Sequence, residues 1–250
     1  MIALKNEEEI KVMREGGRRL REVLEKVLSE VKPGASKAFL NQIAEAEIEK
    51  QRGKASFKMV PGYSWATCIT INDEVVHGIP QEEVLENGDI VGVDIGIYYK
   101  GFHTDLATTV VVGNGKIQGK KKFLGAGERA LKRAIKEAKV GNFVADISLA
   151  IQNEIESSGY STVKNLTGHG VGRQLHEQPS IPMFFKGSRK KTVKIKKGMT
   201  LAIEVIYNQG SDKVVLENDG WTISTLDGKI SGLFEESVAV MGDGPLILTR

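Results

Sequence analysis

An alternating apolar run at residues 91–97, together with the segment that follows it, constrains the fold more than any other feature of the chain. The alternation predicts a buried strand, and the polar break after it predicts a turn into a second, antiparallel strand. If that turn is centred between Tyr99 and Lys100, Asp94 lies directly opposite Asp105, with Cβ atoms roughly 5 Å apart. Two buried carboxylates this close repel each other unless they are protonated or share cations. We therefore interpret Asp94 and Asp105 as a metal-bridging pair; a turn-proximal aspartate beside a solvated one is the alternative.

Two amphipathic helices are predicted ahead of this hairpin. Asn6 and Glu9 have the spacing of a capping box, and apolar residues then recur at helical spacing until Pro-Gly at residues 33–34 ends the helix. A second helix is predicted from Lys37 to about Gln51, with one apolar stripe. The first half therefore has the order helix, helix, strand.

The same order occurs again in the second half, where a helix is predicted over residues 126–139 and, after a break at Gly141, a second helix carries Ile147, Ile151 and Ile155 and stops at Gly159. At an offset of 107 the matching helix residues are Leu24 and Leu131, Leu28 and Ile135, Gly34 and Gly141, Leu40 and Ile147, Glu47 and Glu154, and Ile48 and Ile155. At an offset of 110, residues 88–94 match residues 198–204, and each copy places an acid at its seventh position. The period is too long, and the copies too few, for a solenoid. We therefore predict an α+β fold of one domain, residues 1–250, whose halves (roughly 1–115 and 120–250) are related by a pseudo-twofold axis with a site at the join.

The second half supplies acids that correspond to the first pair. Glu204 is the counterpart of Asp94, and Glu235 lies on the next alternating run, where it can pair with Glu204. His169 stands between two glycines, which allow close backbone approach. Four carboxylates carry a charge of about −4 at neutral pH, which two divalent cations balance, and neutral His169 completes the set. Such a cation pair holds a bridging water and lowers its pKa toward neutrality. The oxygen-rich ligands suit Mn, Fe or Co better than a thiolate-rich zinc site does.

Composition narrows the class of protein. The net charge of +3 is too small to indicate nucleic-acid binding by itself, and a single cysteine excludes an intrachain disulfide. The first ten residues are acidic and lack the apolar core of a signal peptide, and no run approaches 18 apolar residues. We therefore expect a cytoplasmic protein without a membrane span.

Taken together, these residues resemble the type I methionine aminopeptidases over nearly the whole chain. The motifs are Asn72-x4-His77-Gly-Ile-Pro80, Asp94 with Gly101-Phe-His-Thr-Asp105, Gly168-His-Gly-Val-Gly-Arg-x2-His176-Glu177, Ile203-Glu204 and Phe234-Glu235. The resemblance implies a pita-bread fold, in which a pseudo-twofold repeat of helix–helix–strand units surrounds a curved antiparallel sheet. It implies a metallopeptidase that removes the initiator methionine from nascent proteins when the second residue is small. Water held by two divalent metal ions (Co, Mn, Fe or Zn) would attack the peptide bond.

The resemblance also implies roles for individual residues. The expected metal ligands are Asp94, Asp105, His169, Glu204 and Glu235. Glu204 is expected to shuttle protons, His176 to contact the scissile amide, and His77 to position the peptide and stabilise the tetrahedral intermediate. Because a thioether packs well on aromatic edges, the expected methionine pocket consists of Tyr63, Cys68, His77, His176 and Trp221. His103, a neighbour of Asp105, is expected to be structural.

Two residues depart from the family pattern. The family usually has proline after the strand glutamate and histidine after the last ligand; this chain has Val205 and Glu236 there. Neighbouring strand residues point to opposite faces, so Glu236 is not expected to be a ligand. An extra negative charge at this position can still change metal affinity or the pH optimum.

Two other functions remain open on sequence grounds. One is a proline-directed aminopeptidase or dipeptidase of the same fold, although such enzymes typically carry a large N-terminal domain, for which a helix predicted from about residue 6 leaves no room. The other is a non-catalytic pita-bread binding protein. The basic segment that begins at Lys186 and ends at Lys197 is either a solvated hairpin or a docking surface for ribosomal RNA. We expect a monomer that binds the N-termini of nascent polypeptides and no membrane partner.

Overall fold

The computed structural model describes residues 2–114 and 118–250. Gly115, where we expected the first half to end, lies outside the described residues. The helices and strands are α1 (Glu7–Leu28), α2 (Lys37–Lys50), β1 (Lys54–Ala55), β2 (Thr67–Ile71), β3 (Glu74–Val76), β4 (Ile90–Tyr99), β5 (Phe102–Val111), α3 (Gln118–Glu137), α4 (Val144–Ser157), β6 (Ser161–Thr162), β7 (Thr167–Gly170), β8 (Glu177–Pro182), β9 (Thr200–Asn208), β10 (Val214–Leu216), β11 (Ile223–Thr225), β12 (Ser231–Val240) and β13 (Pro245–Ile247). Short 3-10 helices cover Phe57–Met59 and Arg189–Lys191.

A ten-stranded antiparallel sheet forms the centre of the molecule, in the order β1-β4-β5-β12-β9-β7-β8. Strand β2 also pairs with β4, β6 with β9, and β13 with β12, while β10, β11 and β3 form a separate small sheet. One core cluster contains side chains of α1, α2, β2 and β4, and a second contains side chains of α3, α4, β9 and β12. Each half therefore packs its helices on its own strands, which confirms the predicted α+β class and the antiparallel sheet.

The strand pairings repeat with the offsets found in the sequence. Lys54 pairs with Tyr98; Ser161, 107 residues after Lys54, pairs with Asn208, 110 residues after Tyr98. The isolated bridges repeat with the same two offsets and are Ser36–Val84 and Phe143–Lys194. The central order β4-β5-β12-β9 reads the same when the halves are exchanged. The repeat predicted from amphipathic helices and a strand is thus present in the hydrogen-bonded pairing of the backbone.

The turn between β4 and β5 lies one residue later than predicted. Tyr99 pairs with Phe102, so the two turn residues are Lys100 and Gly101. Both have positive φ angles, 47° and 93°, as in a type I′ turn, whose twist matches that of the flanking strands. Glycine adopts this conformation without steric cost, which favours the turn at Lys100-Gly101 over one at Tyr99-Lys100.

Because of this register, the prediction that the two aspartates lie directly opposite each other is wrong. Asp94 lies opposite Ala107, and Asp105 lies opposite Gly96. The error amounts to two residues, and side chains along a strand alternate with a period of two. Asp94 and Asp105 therefore still point to the same face, as diagonal rather than direct neighbours.

The helix ends differ from the predictions at two places. The capping box of Asn6 and Glu9 is present, but α1 ends at Leu28, ahead of the Pro-Gly pair, where the Ser29 hydroxyl donates to the Lys26 carbonyl. Helix α3 begins at Gln118 rather than near residue 126, because over residues 119–125 Phe123 alone is buried, and a single buried residue shows no helical period. Among the described residues, no helix is both long and apolar enough to cross a bilayer.

A substitution at Gly127 tests how closely α3 packs on the sheet. A Cβ at this position would lie 2.5 Å from Phe234 and 2.7 Å from Tyr207, both buried. At Gly125, on the same helix, the nearest atom is the mobile tip of Arg129, at 3.3 Å. We expect Gly127→Ala to lower the free energy of unfolding by about 1–3 kcal/mol through overpacking. Gly125→Ala should raise it by up to about 1 kcal/mol through helix propensity. Denaturant unfolding measures both; equal effects would contradict the close packing.

Candidate metal centre and adjoining cavity

Four acidic side chains from four adjacent strands meet where the two halves join. Asp94 lies on β4, Asp105 on β5, Glu235 on β12 and Glu204 on β9, and these strands are neighbours in this order. Glu235 pairs directly with Glu204, as predicted, and all four side chains line one cavity. His169 on β7 reaches the cluster because β7 pairs with β9. The structure thus brings together all five residues expected to bind metal.

The distances within this cluster suit shared cations. His169 Nε2 lies 3.5 Å from Glu204 Oε1 and 4.0 Å from Asp105 Oδ2. Ligand atoms of Asp105, His169 and Glu235 all lie within 4.8 Å of one another. A transition-metal ion bound at about 2.0–2.2 Å requires its ligand atoms to be within roughly 4.4 Å of one another, so a small movement of these side chains closes them around an ion.

The cluster is electrostatically unbalanced without a cation. Burial, followed by repulsion from neighbouring carboxylates, raises the pKa values of Asp94, Glu204 and Glu235, and burial raises the pKa of Asp105 to about 7. Within residues 2–114 and 118–250, no lysine or arginine forms an ion pair with these four acids. Burial also lowers the pKa of His169 to about 4, which keeps the imidazole neutral, as a metal ligand requires.

Two buried carboxylate oxygens also lack the partners that buried polar atoms normally have. In the described parts of the chain, neither Asp94 Oδ1 nor Glu235 Oε1 has a hydrogen-bond partner. An unpartnered buried oxygen is costly, and a bound cation removes that cost. The donor set, its charge and its orphaned oxygens therefore fit divalent metal ions.

Hydrogen bonds from the hydroxyl groups of Ser237 and Thr109 connect the two halves next to the acids. Direct pairing of β5 with β12 is limited to Ala107–Glu235 and the adjacent pair. On one side the Ser237 hydroxyl accepts from Asp105 N–H and donates to Asp105 C=O, both at 2.8 Å. On the other side the Thr109 hydroxyl bonds both backbone groups of Leu233, at 2.6 and 2.9 Å. The hydroxyls extend the join beyond the short ladder and keep the spacing between Asp105 and Glu235 fixed.

Glu236 points away from the cluster, as strand alternation predicted. Its carboxylate accepts from Arg21 at 2.8 Å and Arg250 at 3.0 Å, and the Thr249 hydroxyl also donates to it. Two arginines thus counterbalance the extra negative charge at this departure from the family pattern. The pairing ties α1, β12 and the end of the chain together on the face opposite the acids.

An apolar cavity of about 150 Å³ opens directly onto the acids. Tyr63 forms one of its walls, with ring centroids 5.0 Å from Trp221 and 6.4 Å from Phe57 in edge-on geometry. Cys68 pairs with Asp94 across β2 and β4, and burial raises the pKa of its thiol, so it contributes a neutral wall. The structure brings the expected pocket residues together, and it adds four that the sequence did not indicate: Phe57, Val60, Val76 and Leu175.

Two histidines stand at the mouth of this cavity. The ring of His176 lies 4.5 Å from that of His169, centroid to centroid, and His77 follows β3 with a positive φ of 57°. Both also line a groove of about 510 Å³ that leads outward, whose other residues are Val76, Asn165, Leu166, Thr167, His169, Glu177, Gln178, Ser180, Glu204 and Ile206. His103 does not line either space; it is buried, 2.9 Å from Ser56 Oγ.

Asp105→Asn provides a pH-dependent test of the cluster in cation-stripped protein. The folded pKa of Asp105 is about 7 against an ordinary 3.8, so the folded state retains a proton that the unfolded state loses. The unfolding free energy of the wild type therefore falls as pH rises from about 4 to about 7, and this contribution is absent in the variant. We expect Asp105→Asn to raise the melting temperature by several degrees at pH 8 and by much less at pH 5.

Asp243→Asn is the matched control, since Asp243 is exposed and far from the cluster in the fold. It should show no such difference between the two pH values. A stabilisation by Asp105→Asn that is the same at pH 5 and pH 8 would contradict the buried acid cluster.

Comparison with known proteins agrees with this arrangement. The sequence model of metallopeptidase family M24 matches residues 11–239. Methionine aminopeptidase of Clostridium perfringens is 42% identical over 249 residues, covering 100% of this chain and 99% of that protein. Methionine aminopeptidase 1 of Bacillus subtilis is 42% identical, with 100% of both chains covered.

Solved structures confirm the pita-bread fold. The crystal structure of methionine aminopeptidase from Thermotoga maritima matches with a TM-score of 0.95 and 38% identity over 100% of both chains. Prolidase from Pyrococcus furiosus shares the fold, with a TM-score of 0.79 at 22% identity, and the match covers 99% of this chain but 65% of that one. The chain therefore belongs to metallopeptidase family M24 and, within that family, to the methionine aminopeptidases.

Proposed function

We propose that this chain is a metal-dependent aminopeptidase that removes the initiator methionine from nascent proteins whose second residue is small. One observation carries the proposal: a cavity large enough for a single apolar side chain opens directly onto the acid cluster. A cavity of about 150 Å³ accommodates benzene, and the unbranched methionine side chain is no bulkier. Both halves of the chain contribute to the site, so we propose that they act as one catalytic domain.

Asp94, Asp105, His169, Glu204 and Glu235 would hold two divalent ions, with Co, Mn, Fe and Zn as the candidates. The ligand charge of about −4 from the four acids supports two ions rather than one. When bound, such ions lower the pKa of water toward neutrality and polarise a carbonyl group. Proton transfer and substrate binding would depend on side chains of this chain.

Glu204 is the proposed proton carrier. It lines both the cavity and the outward groove, so it faces the point where the scissile bond must lie. Its side chain is 13% exposed, which limits exchange of its proton with bulk solvent. From this position Glu204 would accept a proton from the attacking water and return it to the leaving amine.

His176 and His77 are the proposed contacts to the substrate backbone. Both line the boundary between cavity and groove, which supports a scissile amide held between them. His176 would donate a hydrogen bond to the amide, and His77 would position the peptide and stabilise the tetrahedral intermediate. The groove would take the residues that follow the methionine.

Aromatic edges and a thiol form the proposed methionine pocket. A thioether gains favourable contacts at the edges of rings, and Tyr63 and Trp221 present such edges. Asp219 accepts from the backbone N–H groups of Trp221 and Thr222, both at 2.8 Å, and so fixes the turn that presents the indole. Phe57 and Leu175 add apolar walls that exclude water from the side chain.

The substrate class is tested with short peptides in protein supplied with Mn, Fe, Co or Zn. Met-Ala-Ser should be cleaved, Met-Leu-Ser should be cleaved far more slowly, and X-Pro peptides in which X is not methionine should not be cleaved. Glu204→Gln, which keeps the shape and removes the proton acceptor, should abolish turnover. Cleavage of X-Pro peptides alone would reject the substrate and favour a proline-directed enzyme. No turnover with any of these ions would favour a binding protein.

We also propose that the enzyme is a cytoplasmic monomer that meets its substrates at the ribosome. The segment from Lys186 to Lys197 carries seven basic residues, all exposed. Arg189 pairs with Asp146 and Lys197 with Glu7, whereas the other five have no carboxylate partner in the part of the chain that the structure describes. Unpaired surface cations are suited to phosphate backbones such as that of ribosomal RNA.

Charge reversal tests this surface. Lys190→Glu/Lys191→Glu should weaken co-sedimentation with ribosomes and reduce its dependence on salt, because fewer phosphate counterions are released. The double variant Lys121→Glu/Lys122→Glu on α3 makes the same change in net charge elsewhere on the surface and should bind as the wild type does. Unchanged binding and salt dependence in the first variant would exclude the segment as a docking surface.

A further inference from the structure

A buried ion pair connects the N-terminal arm, residues 2–5, to the loop that carries His176. The Lys5 ammonium donates to Glu177 Oε2, and the side chains are only 3% and 11% exposed. Glu177 directly follows His176 and, through its other oxygen, accepts from Gln174 N–H at 3.1 Å. One carboxylate therefore joins the arm to residues on both sides of His176.

The arm is held in place at both its backbone and its side chain. Lys5 N–H donates to Gly198 C=O at 2.7 Å, immediately ahead of β9, the strand of Glu204. The Lys5 stem crosses Gly172 so closely that a Cβ at Gly172 would overlap it. From the other side Gly172 C=O accepts from His103 N–H at 2.7 Å. The turn that begins the His176 loop is thus held between the arm and β5.

Apart from its edge-on contact with the His169 ring, the His176 ring is held by its own backbone. Among the residues that the structure describes, no hydrogen bond to this ring is present, and the side chain is exposed at the cavity mouth. Its orientation therefore follows the backbone of residues 174–177. That backbone is held by the β7–β8 pairing of Gly170 with Glu177, by Gly172 N–H donating to Gln174 C=O, and by the Glu177 carboxylate that Lys5 contacts.

We propose that Lys5 is a positioning residue: its buried ion pair with Glu177 aims the His176 imidazole at the scissile amide. This inference rests on the proposed function for the role of His176, but the contacts with Lys5 are independent of it. Removal of the ammonium would leave a buried carboxylate without its partner, and the loop would move to solvate it. A misplacement of about 1 Å at a catalytic group can reduce turnover by about 10²-fold.

Lys5→Met tests the proposal, because it keeps the stem across Gly172 and removes only the charge. We expect kcat for Met-Ala-Ser to fall about 10-fold to 10²-fold with KM within about 3-fold of the wild type, since His176 acts on the reaction rather than on methionine binding. Arg173→Met is the matched control: it removes an exposed ion pair, with Glu9, from the same loop. It should have wild-type kcat and KM.

The double variant Lys5→Met/Glu177→Gln keeps the proposal testable if Lys5→Met folds poorly, because it leaves no unpaired buried charge. Its kcat should match that of Lys5→Met within about 3-fold and stay below that of the wild type, since both changes break the same interaction. A wild-type kcat in the folded double variant would overturn the proposal. So would a loss in Lys5→Met that disappears once rates are expressed per folded molecule, since that is a purely structural effect.

A spectroscopic measurement separates this proposal from the proposed function. The chain has four histidines, so their ring signals can be assigned individually by NMR. Lys5→Met should shift the His176 ring signals and leave those of His77 unchanged, whichever peptide the protein cleaves. An unmoved His176 signal would overturn the positioning role. A wild-type protein that does not cleave Met-Ala-Ser, yet shows the His176 shift in the variant, would reject the proposed function alone.

Discussion

Repulsion among four buried carboxylates is the interaction on which the rest of this structure depends. The sheet order β4-β5-β12-β9 brings acids from both halves together. Burial, followed by mutual repulsion for Asp94, Glu204 and Glu235, raises their pKa values, and the described residues supply no lysine or arginine partner. Without compensating positive charge, these acids must take up protons at neutral pH or move apart. The orphaned oxygens of Asp94 and Glu235 and the neutral imidazole of His169 indicate that metal ions supply it. The clustered acids thus destabilise the metal-free protein, and the same acids give it affinity for cations.

The repeat explains how one chain assembles this site. Each half contributes a helix pair, a hairpin and two acids, and the halves meet at a short β5–β12 ladder that Ser237 and Thr109 extend with their hydroxyls. Around this symmetric centre the two halves differ. The first half supplies most of the cavity walls, including Tyr63 and Cys68, and the second adds Trp221 and Leu175 and supplies His169 and His176 on glycine-rich backbone. A symmetric metal centre therefore borders a side-chain pocket on one side and a hydrogen-bonding loop on the other.

Periodicity predicted the parts of the fold that are set locally. The capping box at Asn6, the helix pairs and the seventh-place acids of the repeat all follow from patterns of a few residues. The predicted register of Asp94 and Asp105 was wrong by two residues. The turn residues are Lys100 and Gly101, which form a type I′ turn, rather than Tyr99 and Lys100. The cavity walls Phe57 and Leu175, and the Lys5–Glu177 pair across 172 residues, depend on long-range packing that no local period encodes. Roles for His77 and His176 came only from resemblance to a family.

Anomalous scattering from crystals grown with Mn²⁺ locates the cations that this cluster binds. We expect two peaks at the cluster, with Asp94 and Asp105 of the first half and Glu204 and Glu235 of the second all contributing ligands. No peak at the cluster, or ions held by acids of one half only, would contradict this expectation.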